Sequence, residues 1–237
     1  MIYLLPNIFT TLNIFCGYFS IISTINGDLE KASWAIFLAM VFDIFDGRIA
    51  RFIKRTSNFG LEYDSLCDLV SFGIAPSLLI YQFILKDFGK AGWLACFLYT
   101  TCVALRLARF NVRASSGLSY FEGLPSPAGA AILASVVLFF TKTFTTFSYI
   151  NWIVLILVYV VSYLLVSPIQ YPSFKEIKIK KAQTFYFLVF FVIGFTIVAS
   201  HPSTTLLVII TFYILLGPFL FFKNTGLKII KKFNRKS

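Results

Sequence analysis

Four aspartates embedded in apolar sequence are the hardest feature of this chain to accommodate. Asp43 and Asp46 follow AIFLAMVF, and Asp64 and Asp68 precede LVSFGIAPSLLIY. Together with Glu62 they make up five of the chain's ten carboxylates, all within residues 43–68. An ionisable side chain inside a membrane-length apolar segment is costly, so its default reading is functional. Asp43, Asp46 and Ala50 fall on one helical face, because positions three and four apart are neighbours. Asp64 and Asp68 repeat the pattern, with Gly60 one turn earlier. If the two helices run antiparallel through a short loop at 52–59, their carboxylates converge. Such a cluster repels itself unless protons or cations neutralise it. Oxygen-only ligands favour Mg²⁺, Mn²⁺ or Ca²⁺ over zinc. Two hard cations between four aspartates is an arrangement used in phosphate-group displacement. A purely structural salt-bridge cluster is the competing explanation, but Arg48 and Arg51 are too few to pair with four aspartates.

The rest of the chain supplies the membrane. Across 237 residues the mean hydropathy is +0.83 and aromatics reach 19%, values of an integral membrane protein and not of a soluble domain. Apolar segments long enough to span a bilayer lie at about 8–25, 31–53, 60–85, 91–111, 127–142, 149–166, 183–200 and 203–222. The expected fold is therefore an all-α, polytopic helix bundle with eight transmembrane helices in a single domain, 1–237. Its motif-bearing core covers about 6–130, accessory helices about 149–222, and a basic tail 223–237. No Lys or Arg precedes Lys31, so the first apolar run lacks the basic flank of a signal peptide and reads as a retained helix. Cys16, Cys67, Cys96 and Cys102 all lie in apolar segments without a CxxC pair and read as small buried residues. A lone His201 argues against a histidine-based site.

Charge then orients the bundle. The net charge of +11 is distributed as a topology signal and a surface for anionic lipid, not as a nucleic-acid interface. With both termini on one side, 17 of the 21 Lys and Arg fall there; Lys31, Lys86, Lys90 and Lys142 fall on the other. The positive-inside rule makes the richer side cytoplasmic. At 1.5 Å per residue, Asp46 lies roughly 9 Å before the 52–59 loop and Asp68 roughly 12 Å past Gly60. Both sit near the cytoplasmic headgroup level, where a lipid headgroup and a polar cytosolic substrate can meet.

The spacing Asp43-x2-Asp46-Gly47-x2-Ala50-Arg51-x8-Gly60-x3-Asp64-x3-Asp68 resembles the signature of the CDP-alcohol phosphotransferase family at every fixed position. Three further stretches resemble its phosphatidylserine synthase subgroup: Pro6-Asn7-x2-Thr10-x2-Asn13, VSFGIAPSLLIY, and RLARFN followed by FEGLPSP. The resemblance is motif-dense from residue 6 to about 130 and only hydropathic beyond. It implies transfer of the phosphatidyl group of CDP-diacylglycerol to the hydroxyl of L-serine, giving phosphatidylserine and CMP. It implies two Mg²⁺ or Mn²⁺ ions, with Ca²⁺ also able to bind, on Asp43, Asp46, Asp64 and Asp68. Asp68 is the implied base. Asn7, Thr10, Asn13, Gly47, Ala50, Arg51 and Gly60 are implied on the CDP-diacylglycerol side.

For the acceptor, Ser71, Arg106, Arg109 and Ser126 are the candidates, since a guanidinium grips a carboxylate or phosphate bidentately. As plain membrane residues the two arginines would snorkel to the interface. Ser126 also suits a helix cap, with Pro127 opening the fifth helix. The last three segments carry no buried carboxylate and read as scaffold, lipid-facing wall or homodimer surface. Two rivals stand beside this reading: the same chemistry with glycerol 3-phosphate or inositol phosphate as acceptor, and a cation transporter. A transporter needs ionisable groups along a path across the membrane, whereas here the carboxylates gather near one face.

Overall fold

A computed structural model describes residues 4–53, 58–115, 122–143, 148–169, 171, 194, 196, 198 and 200–233, with side chains for all of these but 4–6, 50–53, 113–115, 148 and 222–233. Regular structure among the described residues is helical. The long helices are α1 (Leu4–Ile25), α2 (Leu29–Ile53), α3 (Asn58–Asp68), α4 (Ala75–Phe83), α5 (Lys90–Ser115), α6 (Ser126–Lys142), α7 (Ser148–Val166) and α8 (Pro202–Phe233). A π-helical stretch, Leu69–Ile74, joins α3 to α4, and a 3₁₀ turn, Leu85–Phe88, leads into α5.

Helices α1 and α2 form a tight hairpin. Gly27 takes φ +83°, a left-handed conformation that favours glycine, and so ends α1 sharply. Ala32, Ala35 and Ala39 on α2 are buried, as are Cys16, Ser20, Ser23 and Thr24 on α1. Small residues at helical spacing let the two backbones approach, close enough for the Ser20 hydroxyl to donate to the Ala32 carbonyl at 2.9 Å. Helix α6 is the centre of the bundle. It packs against α2, α4, α7 and α8, and every residue from Gly129 to Leu138 is buried.

The third apolar segment is where the chain departs from a plain helix, as Gly73 and Pro76 suggest. Pro76 has no N–H, so the carbonyl of Phe72 loses its ordinary partner. The Tyr99 hydroxyl, fully buried on α5, donates to that carbonyl at 2.8 Å. One turn earlier the helix widens: the Ala75 N–H bonds back to Val70 across five residues. The device recurs in α8. Pro218 lies inside the helix, and the Tyr171 hydroxyl donates to the Ile214 carbonyl, four residues before it, at 3.2 Å. Where no water is at hand, a neighbouring donor must satisfy a carbonyl freed by proline.

Among the described residues, five helical stretches are long and apolar enough to cross a membrane: Asn7–Ile25, Asn58–Phe83, Lys90–Val112, Tyr149–Val166 and Pro202–Phe221. They fall on five of the eight expected spans. Helix α6 is apolar but only 17 residues long. Helix α2 has the length, yet it carries Glu30, Lys31, Asp43, Asp46, Arg48 and Arg51. The span expected at 183–200 lies almost wholly outside the described residues. The basic stretch expected as a tail continues α8 as far as Phe233. Ser126 does not cap α6: Pro125 holds the cap position and Ser126 is the first helical residue, its hydroxyl facing Arg106.

Removing the Tyr99 hydroxyl tests the proline device. Tyr99→Phe leaves a buried carbonyl without a partner and should lower stability by about 1–3 kcal/mol. Adding Pro76→Ala, which restores an N–H opposite Phe72, should recover part of that loss in thermal unfolding of the detergent-solubilised protein. Unchanged unfolding of Tyr99→Phe would show that the bond carries no weight.

Candidate active site

The aspartates are brought together by a helix that carries none of them. Helix α1 packs against α2 on one side and against α3, the π stretch and α4 on the other. Its polar stripe, spaced three residues apart, holds an aspartate from each. The Thr10 hydroxyl donates to Asp46. The Asn13 side-chain amide donates to Asp68 at 2.9 Å. Contact at this crossing is close. A Cβ on Gly17 would run into Ser71, and the Ser71 hydroxyl donates to the Asn13 carbonyl at 3.0 Å.

Three carboxylates converge there. One oxygen each from Asp43, Asp64 and Asp68 lies within 4.8 Å of the others. Asp46, expected beside them, is buried and engaged by Thr10. The other faces of α3 are tied down as well. Asn111 on α5 accepts from Ser65 at 3.1 Å and donates to Glu62 at 3.1 Å. The Thr11 and Tyr63 hydroxyls meet at 3.0 Å, and the Tyr63 ring stacks on Phe59. Thr11, Tyr63 and Ser65 carried no signal in the sequence beyond ordinary helix polarity. Asn111 was visible in RLARFN, but only the fold gives it a task.

The two arginines of α5 separate. Arg106 donates to the Ser126 hydroxyl at 3.1 Å and is attracted electrostatically by Asp68 and Asp43. Tyr213, from α8, lies within its electrostatic range. Arg109 instead serves the backbone. It donates to the carbonyls of Val166 at 3.0 Å, Glu122 at 2.9 Å and Leu165 at 3.4 Å. Gly123, at φ +84°, lies against it and against Leu165, where a side chain would not fit. The N–H groups of Gly123 and Leu124 bond to Ile169 at 2.8 Å and Leu164 at 2.9 Å. Arg109 thus locks the loop before α6 to the C-terminal end of α7, where cations are favoured.

The remaining candidates are nearer the rim. Asn7 is half-buried on the Thr10–Asn13 face of α1, Gly47 is exposed and Gly60 half-buried. Ala50 and Arg51 continue α2 one turn beyond Asp46; their side chains lie outside the described residues.

Among the described residues, three buried side-chain polar atoms lack a hydrogen-bond partner: Asn13 Oδ1, Asp64 Oδ1 and Arg106 Nε. All three belong to this one site. Buried polar atoms in folded proteins are normally paired, and each exception asks for a reason. Two are oxygens beside a carboxylate cluster and one is a cationic donor. Asp43, Asp64 and Asp68 offer only hard oxygen ligands at mutual distances a single ion can bridge, which suits a divalent cation such as Mg²⁺ or Mn²⁺. Carboxylates this close cannot all stay ionised without one.

Comparison with known proteins agrees with this site. The sequence profile of the CDP-alcohol phosphatidyltransferase family matches residues 3–164, which include every residue of the carboxylate cluster. A Helicobacter pylori protein named CDP-diacylglycerol–serine O-phosphatidyltransferase is 35% identical over 222 residues, covering 91% of this chain and 90% of that protein. A Bacillus subtilis protein of the same name is 37% identical over 172 residues, covering 73% and 92%. An archaetidylserine synthase of Methanothermobacter thermautotrophicus is 38% identical over 172 residues, covering 71% and 69%. The chain belongs to the CDP-alcohol phosphatidyltransferase family.

Proposed function

We propose that this chain is a CDP-diacylglycerol–serine O-phosphatidyltransferase, an integral membrane enzyme that makes phosphatidylserine and CMP. The observation that carries the reading is the Asp43–Asp64–Asp68 cluster, with Asn13 bonded to Asp68 and Arg106 in the electrostatic field of Asp43 and Asp68. The names of the relatives support the choice of donor and acceptor. The serine hydroxyl oxygen attacks the phosphatidyl phosphorus. A new P–O bond forms, the bond from that phosphorus to the CMP oxygen breaks, and CMP leaves with the electron pair. Asp68 takes the hydroxyl proton, since an alcohol is a poor nucleophile without a positioned base. Asp43, Asp64 and Asp68, joined by Asp46, would hold two divalent cations, which would supply positive charge for the diphosphate and the departing CMP.

Around that centre, Thr10 and Asn13 hold Asp46 and Asp68 in place. Asn7, Gly47, Ala50, Arg51 and Gly60 form the approach for the nucleotide, where small residues let helix backbones come near it. Arg106, with Ser126 orienting it, faces the acceptor carboxylate. Ser71 contributes by fixing α1 against the π stretch. Arg109 holds the wall behind. In the membrane we infer eight spans, both termini and the 52–59 loop in the cytoplasm, and a homodimer.

The decisive experiment incubates the purified protein with CDP-diacylglycerol, Mn²⁺ or Mg²⁺, and serine, glycerol 3-phosphate or inositol phosphate separately, and identifies the lipid formed. Serine alone should give product at a high rate, and chelator should abolish it. Asp→Asn changes at 43, 46, 64 and 68 should each lower turnover by about 10²-fold or more while the protein still inserts, the scale of a lost proton-transfer group. Turnover near the parent level in any two of them would exclude the two-ion arrangement.

Arg106→Lys keeps the charge and loses the planar fork. Its apparent serine affinity should fall about tenfold or more, with CDP-diacylglycerol affinity changing less. An unchanged serine dependence would place the carboxylate elsewhere.

Orientation is tested by cysteines introduced at Lys54 and Ser237 in a background without Cys16, Cys67, Cys96 and Cys102. Both should resist an impermeant thiol reagent in intact cells and react after lysis. Labelling of either from outside would overturn the topology.

A further inference from the structure

We infer that Asn13 selects the acceptor: its side-chain oxygen receives a hydrogen bond from the ammonium group of an amino-acid acceptor, while its amide nitrogen holds Asp68. The inference rests on the phosphatidyl-transfer reading above and adds to it the group that tells serine from an acceptor lacking nitrogen.

Asn13 is fully buried, and its two ends have different surroundings. Asp68 Oδ1 lies 2.9 Å from one of them. An ionised carboxylate only accepts, so the end facing it is the NH₂ group, and the other is the carbonyl oxygen. That oxygen is one of the three buried orphans. The backbone around it is held, because the Asn13 main-chain carbonyl is taken by Ser71 and the bare Cα of Gly17 lets α1 lie directly against Ser71. The side chain therefore presents a bare acceptor atom next to the candidate base.

The second orphan, Arg106 Nε, is a donor, and the guanidinium that carries it is held on Ser126 within the electrostatic field of Asp68 and Asp43. Asp68 thus has an unsatisfied acceptor on the residue that holds it and an unsatisfied cationic donor in its electrostatic neighbourhood. A ligand that satisfies both carries a hydrogen-bond donor and an anion on either side of a hydroxyl. A zwitterionic 2-amino-3-hydroxy acid has that pattern. Glycerol 3-phosphate and inositol phosphate have no cationic donor to offer.

The test compares L-serine with 3-hydroxypropanoate, which keeps the hydroxyl and carboxylate but lacks the amino group. Both are assayed with CDP-diacylglycerol and saturating Mn²⁺. Wild-type kcat/KM should favour serine by about tenfold or more, the scale of a hydrogen bond to a charged group. Asn13→Leu should bring the two acceptors to within about threefold, whatever its absolute rate. Asn13→Ala serves in the same way should the leucine fold poorly.

A wild-type preference below threefold would overturn the inference without any variant. So would an equal loss toward both acceptors, because Asn13 would then act only by positioning Asp68. A raised Mn²⁺ requirement with the acceptor preference intact would assign the oxygen to the cation instead, and also overturn it. Failure of the underlying reading looks different: wild-type protein would give no lipid product from serine at all.

Discussion

Mutual repulsion among Asp43, Asp64 and Asp68 is the constraint that the rest of the bundle answers. Carboxylate oxygens within 4.8 Å of one another, in surroundings of low polarity, would push their helices apart if the scaffold were free to yield. It is held at several points. Thr10 and Asn13 anchor the carboxylates of Asp46 and Asp68, Asn111 pins the outer face of α3, and the Ala-lined seam keeps α2 close to α1. The chain is thereby braced around a charge density that protons or a bound cation would relieve.

The bracing depends on a helix that is deliberately imperfect. A regular α-helix from Asn58 to Phe83 would turn Ser71 and Asp68 by 100° per residue from one another. The wider π turn after Asp68 changes that phase and sets Ser71 against the backbone of α1. Pro76 weakens the ladder at that point, and Tyr99 repairs the carbonyl left behind. Irregular backbone inside a membrane bundle survives where protein donors replace water. Here it is placed where the carboxylate cluster meets α1.

Much of this was legible in the sequence because burial and charge are readable one residue at a time. Helix positions followed from apolar length, and a convergence of all four aspartates was expected from their spacing on two helices taken as antiparallel; Asp43, Asp64 and Asp68 gather, with Asp46 held by Thr10. The polar stripe Asn7–Thr10–Asn13 was visible, although its hydrogen bonds to the aspartates were not, since spacing along one helix does not name the helix opposite. Arg106 and Arg109 looked equivalent for the same reason. Three residues apart in one motif, they point at different neighbours, and only packing decides that one meets a carboxylate cluster and the other a set of carbonyls. Tyr99 and Tyr171 were invisible as partners of Pro76 and Pro218 because a hydroxyl meeting a carbonyl 27 or 43 residues away leaves no local pattern.

The Arg109 contacts have an evolutionary side. Its guanidinium grips Glu122, Leu165 and Val166 through their main-chain oxygens alone, and every amino acid supplies that atom. The grip itself therefore sets no demand on the identity of those three residues; Leu165 and Val166 answer to the core they pack in, not to the arginine. The arginine has no such licence, because no other side chain fans out donors in one plane. Among descendants of this sequence an invariant arginine would then stand opposite partners whose changes owe nothing to it, a lopsided dependence that pairwise covariation between columns would never register.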